Sequence, residues 1–91
     1  MKRTIPGMAT VVLTPAAAEE LEQLSNPIHG RVLRLLVRLE RWPDVSGAKP
    51  LTGELAGRYR LRTGDYRVQF FVTDDVVTVE KIGHRDGFYR E

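Results

Sequence analysis

Arginines at alternate positions, and an imidazole, a guanidinium and a phenol gathered near the end of the chain, are the residues whose types and spacing suit chemistry. Arg58, Arg60 and Arg62 recur at every second position, and Arg67, Gln69 and Phe71 continue the alternation after Thr63-Gly64-Asp65. Residues two apart on a strand share a face, so two paired strands here would collect guanidinium groups beside an aromatic ring. Like charges opposite one another across strands cost stability, and an anion between them would offset that cost. Arginine suits the task because its planar fork grips phosphate in two places and stays charged. Aromatic and guanidinium planes also stack unpaired RNA bases. The competing reading leaves these arginines solvated or paired with Asp65, Asp74, Asp75 or Glu80.

The segment Ile82-Gly83-His84-Arg85-Asp86-Gly87-Phe88-Tyr89-Arg90-Glu91 adds proton-transfer groups. An imidazole gives or takes a proton near neutral pH, which makes His84 a candidate, and Arg85 beside it is suited to neutralising charge that develops at a phosphorus centre. A lone histidine is more often a surface or core residue, and His29 is set aside on that ground. With no cysteine in the chain, thiol nucleophiles, disulfides and cysteine-based zinc sites are excluded, and a reducing compartment is expected.

These groups need elements to position them. Ala9-Thr10-Val11-Val12-Leu13 is short, apolar and β-branched, and reads as an opening strand. Thr14-Pro15 is a helix start, a capping hydroxyl followed by proline at the first helical position. A helix over Ala16 to Leu24 follows, with Ala17, Leu21 and Leu24 as an apolar stripe and Glu19, Glu20 and Glu22 near the positive end of its dipole. Asn26-Pro27 repeats the start signal. From Pro27 to Arg41, Ile28, Val32, Leu35, Leu36 and Leu39 fall on one helical face, and Arg31, Arg34, Arg38 and Arg41 on another. That arginine row reads as a solvated face, with a phosphate-facing ridge as the sharper alternative. Trp42-Pro43 ends the helix, and Trp42 is expected to plug the core. A Gly-, Pro- and Ser-containing stretch from Asp44 to Gly57 reads as a crossing loop. Three strands, Arg58 to Arg62, Tyr66 to Val72 and Val76 to Ile82, are joined by hairpin-length turns. Tyr59, Leu61, Tyr66, Val68, Phe70 and Val72 form the face that the helices must cover.

Ninety-one residues support one small domain with one core. Residues 1–8 read as a flexible leader, with Met8 a second candidate start, and residues 9–91 as the single domain. The fold expected is α+β: an N-terminal strand, a two-helix hairpin and a three-stranded antiparallel meander with the helices on one face. A formal net charge of +2 does not by itself imply a polyanionic partner, so placement of the basic residues matters more than their sum. No segment has the roughly 18–20 apolar residues of a membrane span, and a cytoplasmic protein without a membrane partner is expected.

The order strand, helix, helix, meander, together with Lys49-Pro50-Leu51-Thr52-Gly53-Glu54-Leu55, Tyr59-Arg60-Leu61-Arg62-Thr63-Gly64-Asp65-Tyr66-Arg67-Val68 and Ile82-Gly83-His84-Arg85, resembles RelE-type toxins of the RelE/ParE superfamily, one half of bacterial toxin–antitoxin pairs. The resemblance implies a ribosome-dependent mRNA endoribonuclease that needs no metal or cofactor and cleaves by attack of the ribose 2′-hydroxyl on the adjacent phosphate, inhibiting translation. Arg67 then matches the arginine that holds the scissile phosphate, Arg85 the one that stabilises the transition state or acts as an acid, and Tyr89 the terminal tyrosine, with His84 lining the site or moving a proton. Arg58, Arg60, Arg62, Lys49 and Phe71 are the implied RNA-binding residues. The implied partners are a cognate antitoxin, the ribosome and mRNA, with higher-order toxin–antitoxin complexes. Two departures from the family pattern stand out: the segment from Arg85 to Tyr89 is shorter than in some members, and Lys49 stands where some relatives carry a carboxylate. The alternatives are a ParE-type inhibitor of DNA gyrase without nuclease activity and a degenerate, non-enzymatic member.

Overall fold

Helix α1, Pro15–Glu22, begins where the Thr14-Pro15 signal places it: Thr14 is extended and its hydroxyl accepts a hydrogen bond from Ala17 N at 3.1 Å. The computed structural model describes residues 9–88, so the expected leader and Tyr89 lie outside the described residues. The helix is shorter than its apolar stripe suggested. No acidic residue falls in its first turn, so Glu19, Glu20 and Glu22 do not favour the dipole as expected. Glu20 instead reaches across to the sheet, where its carboxylate accepts from Ile82 N at 2.8 Å.

Helix α2, Ile28–Leu39, buries Val32, Leu35, Leu36 and Leu39, as its periodicity predicts. Asn26 does not cap it: Pro27 holds the cap position and no side-chain bond is made there. The arginines Arg31, Arg34, Arg38 and Arg41 are exposed. Arg38 sits in the last turn, where the dipole favours a cation, and donates to Ser46 O at 2.8 Å.

Strands β1 (Thr10–Leu13), β2 (Lys49–Pro50), β3 (Arg58–Thr63), β4 (Tyr66–Thr73) and β5 (Val76–His84) form one five-stranded sheet in the order β1-β5-β4-β3-β2. The expected meander is β3-β4-β5, antiparallel throughout. Two features go beyond it. β1 pairs with β5 in parallel, a partnership between distant segments that local pattern cannot reveal. The stretch read as a crossing loop contributes β2, an edge strand two residues long pairing Lys49 with Arg60 and Pro50 with Tyr59. Proline is tolerated there because an edge strand leaves one side of its backbone unpaired.

The core lies between the helices and one face of the sheet, and joins Ala17, Val32, Leu35, Leu36 and Leu39 to Leu61, Val68, Phe70, Val77, Val79 and Ile82. Trp42 packs edge-on against Tyr59 and Phe70, with ring centroids 4.7 and 5.3 Å away, the core role expected of it. Val79 and Ile82 are both buried although three residues apart, which a regular strand forbids. A β-bulge resolves the conflict: Gln69 pairs with Lys81 and Phe70 with Val79, leaving Glu80 as the extra residue. Such a bulge turns two consecutive side chains toward one face, so Glu80 and Lys81 both lie opposite the helices. No helix among the described residues is long and apolar enough to cross a membrane.

Candidate nucleic-acid interface

Strand alternation divides the predicted residues between the two faces of the sheet. Leu61, Val68, Phe70 and Ile82 are buried beneath the helices, so Arg58, Arg60 and Arg62 of β3, Arg67, Gln69 and Phe71 of β4, and Gly83 of β5 occupy the uncovered face. The register sets Arg62 opposite Arg67, Arg60 opposite Gln69 and Arg58 opposite Phe71. Lys49 is opposite Arg60 and shares that face. Beyond the end of β5, Arg85 N donates to Asp65 O at 2.7 Å, which extends the β4–β5 ladder and puts Arg85 on the same side as Arg67.

His84 meets this group only through Asp86, whose carboxylate lies 3.6 Å from His84 Nδ1 and 3.8 Å from Arg85 Nε. It pairs with Tyr66 in the register and meets that ring edge-on at 5.2 Å, on the helix side of the sheet. Its Nδ1 accepts from Asp86 N at 3.0 Å. The sequence places His84 beside Arg85, but adjacent residues on a strand point to opposite faces.

The cations on the open face differ in what holds them. Arg58 is engaged: its Nε donates to Glu80 Oε2 at 2.7 Å, its guanidinium lies 5.5 Å from the centre of the Phe71 ring, and Gln69 Nε2 donates to the same carboxylate oxygen at 2.8 Å. The pairing alternative therefore applies to Arg58. Arg85 approaches Asp65 at 3.7 Å and Asp86 at 3.8 Å with over half of its side chain exposed, and ion pairs so open to water are worth little. Among the described residues Lys49, Arg60, Arg62 and Arg67 take part in no ion pair. Arg67 stands out because its Nη1 is buried without a hydrogen-bond partner among the described residues. A buried unpaired donor costs about 1–3 kcal/mol, more when charged, which an anion at that edge would recover.

Three contributors are not evident from the alternation. Glu80 and Lys81 reach the open face through the bulge. Phe88 is buried and packs onto Gly83, where a Cβ would lie 3.5 Å from its ring, and Gly83 is the partner of Arg67. Lys81 Nζ donates to the Phe88 carbonyl and lies 4.7 Å from the centre of its ring. The chain after β5 thus folds back over the arginine face immediately before Tyr89. The apolar spacing Val77, Val79, Ile82, two and then three residues, is the one sequence signal of the bulge.

A family model for the ParE toxin of the type II toxin–antitoxin system parDE matches residues 11–87. Toxin RelG of Mycobacterium tuberculosis is 36% identical over 84 residues, covering 89% of this chain and 95% of the relative. Among solved structures, the toxin–antitoxin complex RelBE2 from Mycobacterium tuberculosis superposes with a TM-score of 0.77 at 32% identity, over 86% of this chain and 99% of the matched one. The isolated E. coli RelE toxin shares the fold, with a TM-score of 0.70 at 20% identity over 84% of this chain and 83% of that one. With a family match across nearly all the described residues and a relative aligned over almost its whole length, the chain belongs to the RelE/ParE superfamily of toxins of type II toxin–antitoxin systems.

Proposed function

We propose that the chain is a ribosome-dependent mRNA endoribonuclease, held in check by a cognate antitoxin. The observation that carries this reading is Arg67, whose Nη1 is buried without a hydrogen-bond partner among the described residues, on the same face of the sheet as Arg60 and Arg85. In the reaction the ribose 2′-oxygen bonds to the neighbouring phosphorus as the bond from phosphorus to the 5′-oxygen breaks, giving a 2′,3′-cyclic phosphate and a 5′-hydroxyl. One proton leaves the 2′-hydroxyl and one reaches the departing oxygen. The protein's part is to align the attack and stabilise the charge on the phosphoryl oxygens. Arg67 grips the scissile phosphate, Arg85 exchanges its water-screened carboxylate partners for the developing charge, and Arg60, Arg62 and Lys49 draw in the flanking backbone. Tyr89, next in the chain after Phe88, is the candidate proton-transfer or base-stacking group. Antitoxin partnership is supported by the matched structures, which include the RelBE2 toxin–antitoxin complex.

Purified chain added to ribosomes programmed with a defined mRNA tests this. Cuts within the codon at the decoding site, lost on Arg67→Ala and on Arg85→Ala, are the expected result; intact mRNA with the natural chain overturns it. The name of the matching family model favours one second reading, gyrase inhibition of the ParE type. Induction in cells separates the two: transcript ends inside codons mark the nuclease, whereas DNA-damage signalling with intact transcripts marks the gyrase inhibitor.

A further inference from the structure

Where β2 meets β3 at the sheet edge lies an open hollow of about 340 Å³ lined by Lys49, Pro50, Leu51, Thr52, Leu55 and Arg60. We infer that it is a nucleotide subsite, seating one phosphate on Lys49 and Arg60 and the attached base against Leu51 and Leu55. Its part in cleavage rests on the RNA-cutting reading above.

Charge comes first. Lys49 and Arg60 are direct partners in the ladder, which brings their Cβ atoms within about 4.5–5.5 Å. No acidic residue lines the hollow, and among the described residues neither cation is in an ion pair. Arg58, the next residue of β3 to share their face, is neutralised by Glu80 at 2.7 Å. Two like charges left facing each other without a carboxylate destabilise the sheet edge, and a phosphate between them reverses the sign of that contribution.

Shape and chemistry narrow the ligand. A bare anion site needs no apolar wall, yet Pro50, Leu51 and Leu55 supply one, with the Thr52 hydroxyl as a polar group between them. The volume falls at the lower end of the roughly 300–1,000 Å³ of small-molecule sites, suited to one nucleotide rather than an oligonucleotide. Arg60 is a strand-diagonal neighbour of Arg67, about 7–8 Å away between Cβ atoms, so a chain with its scissile phosphate on Arg67 can place an adjoining nucleotide here.

Adenosine 5′-monophosphate and inorganic phosphate, titrated separately into the isotope-labelled full chain and followed by amide NMR, test the subsite without the ribosome. Shifts at Lys49, Leu51, Thr52 and Leu55 are expected, with the nucleotide binding about tenfold more tightly than phosphate, as burial of part of one base face against leucine warrants. Lys49→Ala should weaken both ligands, and Leu55→Ala the nucleotide alone. Equal affinity for the two ligands overturns the inference, as does no shift at these amides, or a shift there caused only by the co-expressed antitoxin. Ribosomal cleavage without nucleotide binding defeats the subsite alone; nucleotide binding without cleavage defeats the nuclease reading alone.

Discussion

Glu80 holds Arg58 across the open face of the sheet, its Oε2 accepting from the guanidinium Nε at 2.7 Å. The extra residue of a β-bulge thus sets the charge on the surface that RNA would cross. The carboxylate occupies an edge of Arg58 that a phosphate would otherwise take. In Glu80→Gln the neutral amide holds Arg58 less strongly, and net positive charge on the face rises by one. Binding of a non-cleavable single-stranded RNA should tighten, and the slope of log affinity against log salt should steepen by about 0.7, the contribution of one further phosphate contact. Unchanged affinity and slope would show that RNA passes Arg58 by. Arg58 is more than a third exposed, but Glu80 is less so and also accepts from the buried Gln69, so the cost in stability should be about 1–3 kcal/mol.

Arg67 should show the opposite balance of function and stability. Its Nη1, buried without a partner among the described residues, is a cost to folding rather than a support of it. Arg67→Ala should lower single-turnover cleavage on programmed ribosomes by about 10²–10³-fold, as loss of one preorganised donor does, while the urea midpoint holds or rises. Arg67→Lys should recover little, because a point charge does not reproduce a two-pronged grip. A large fall in the urea midpoint with cleavage intact would make Arg67 a structural residue.

For His84 the expectation is a small effect. General acid–base catalysis contributes roughly 10²–10⁴-fold, whereas His84 packs against Tyr66 on the helix side. His84→Gln should therefore change cleavage by less than about tenfold. A loss of the full catalytic size, with an unaltered thermal transition, would mean that the imidazole reaches the open face during the reaction.

The cases of Arg67 and His84 show what could be read from the sequence. Period-two alternation in Arg58–Phe71 identified the arginine face, and the Thr14-Pro15 start, the α2 apolar stripe and the two hairpin turns identified the frame, because each is a local pattern with a local cause. His84 and Arg85 are adjacent in sequence, but His84 packs beside Tyr66 on the other face of the strand, which adjacency alone does not reveal. The parallel partner of β1 depends on a contact between distant segments, and the two-residue β2 and the return of Phe88 onto Gly83 are irregular local structures with no periodic signal. The bulge lay between these limits. The three-residue step from Val79 to Ile82 was visible, but its meaning required knowing that both side chains are buried.

Glu20 provides the test of how that bulge is held. Its carboxylate accepts from Ile82 N at 2.8 Å, two residues after the extra residue Glu80, so α1 is tied to the strand where the ladder is disturbed. Glu20→Ala leaves a part-buried backbone N–H without its partner, at a cost of about 1–3 kcal/mol. Glu20→Gln keeps an acceptor oxygen and should recover much of that loss. Urea unfolding of the three proteins measures both effects. Hydrogen exchange at Ile82 supplies a local readout: its amide should lose protection in Glu20→Ala more than amides of the β3–β4 ladder do. Equal loss throughout the sheet would mean that Glu20 supports the fold generally and that the bulge holds its register without it.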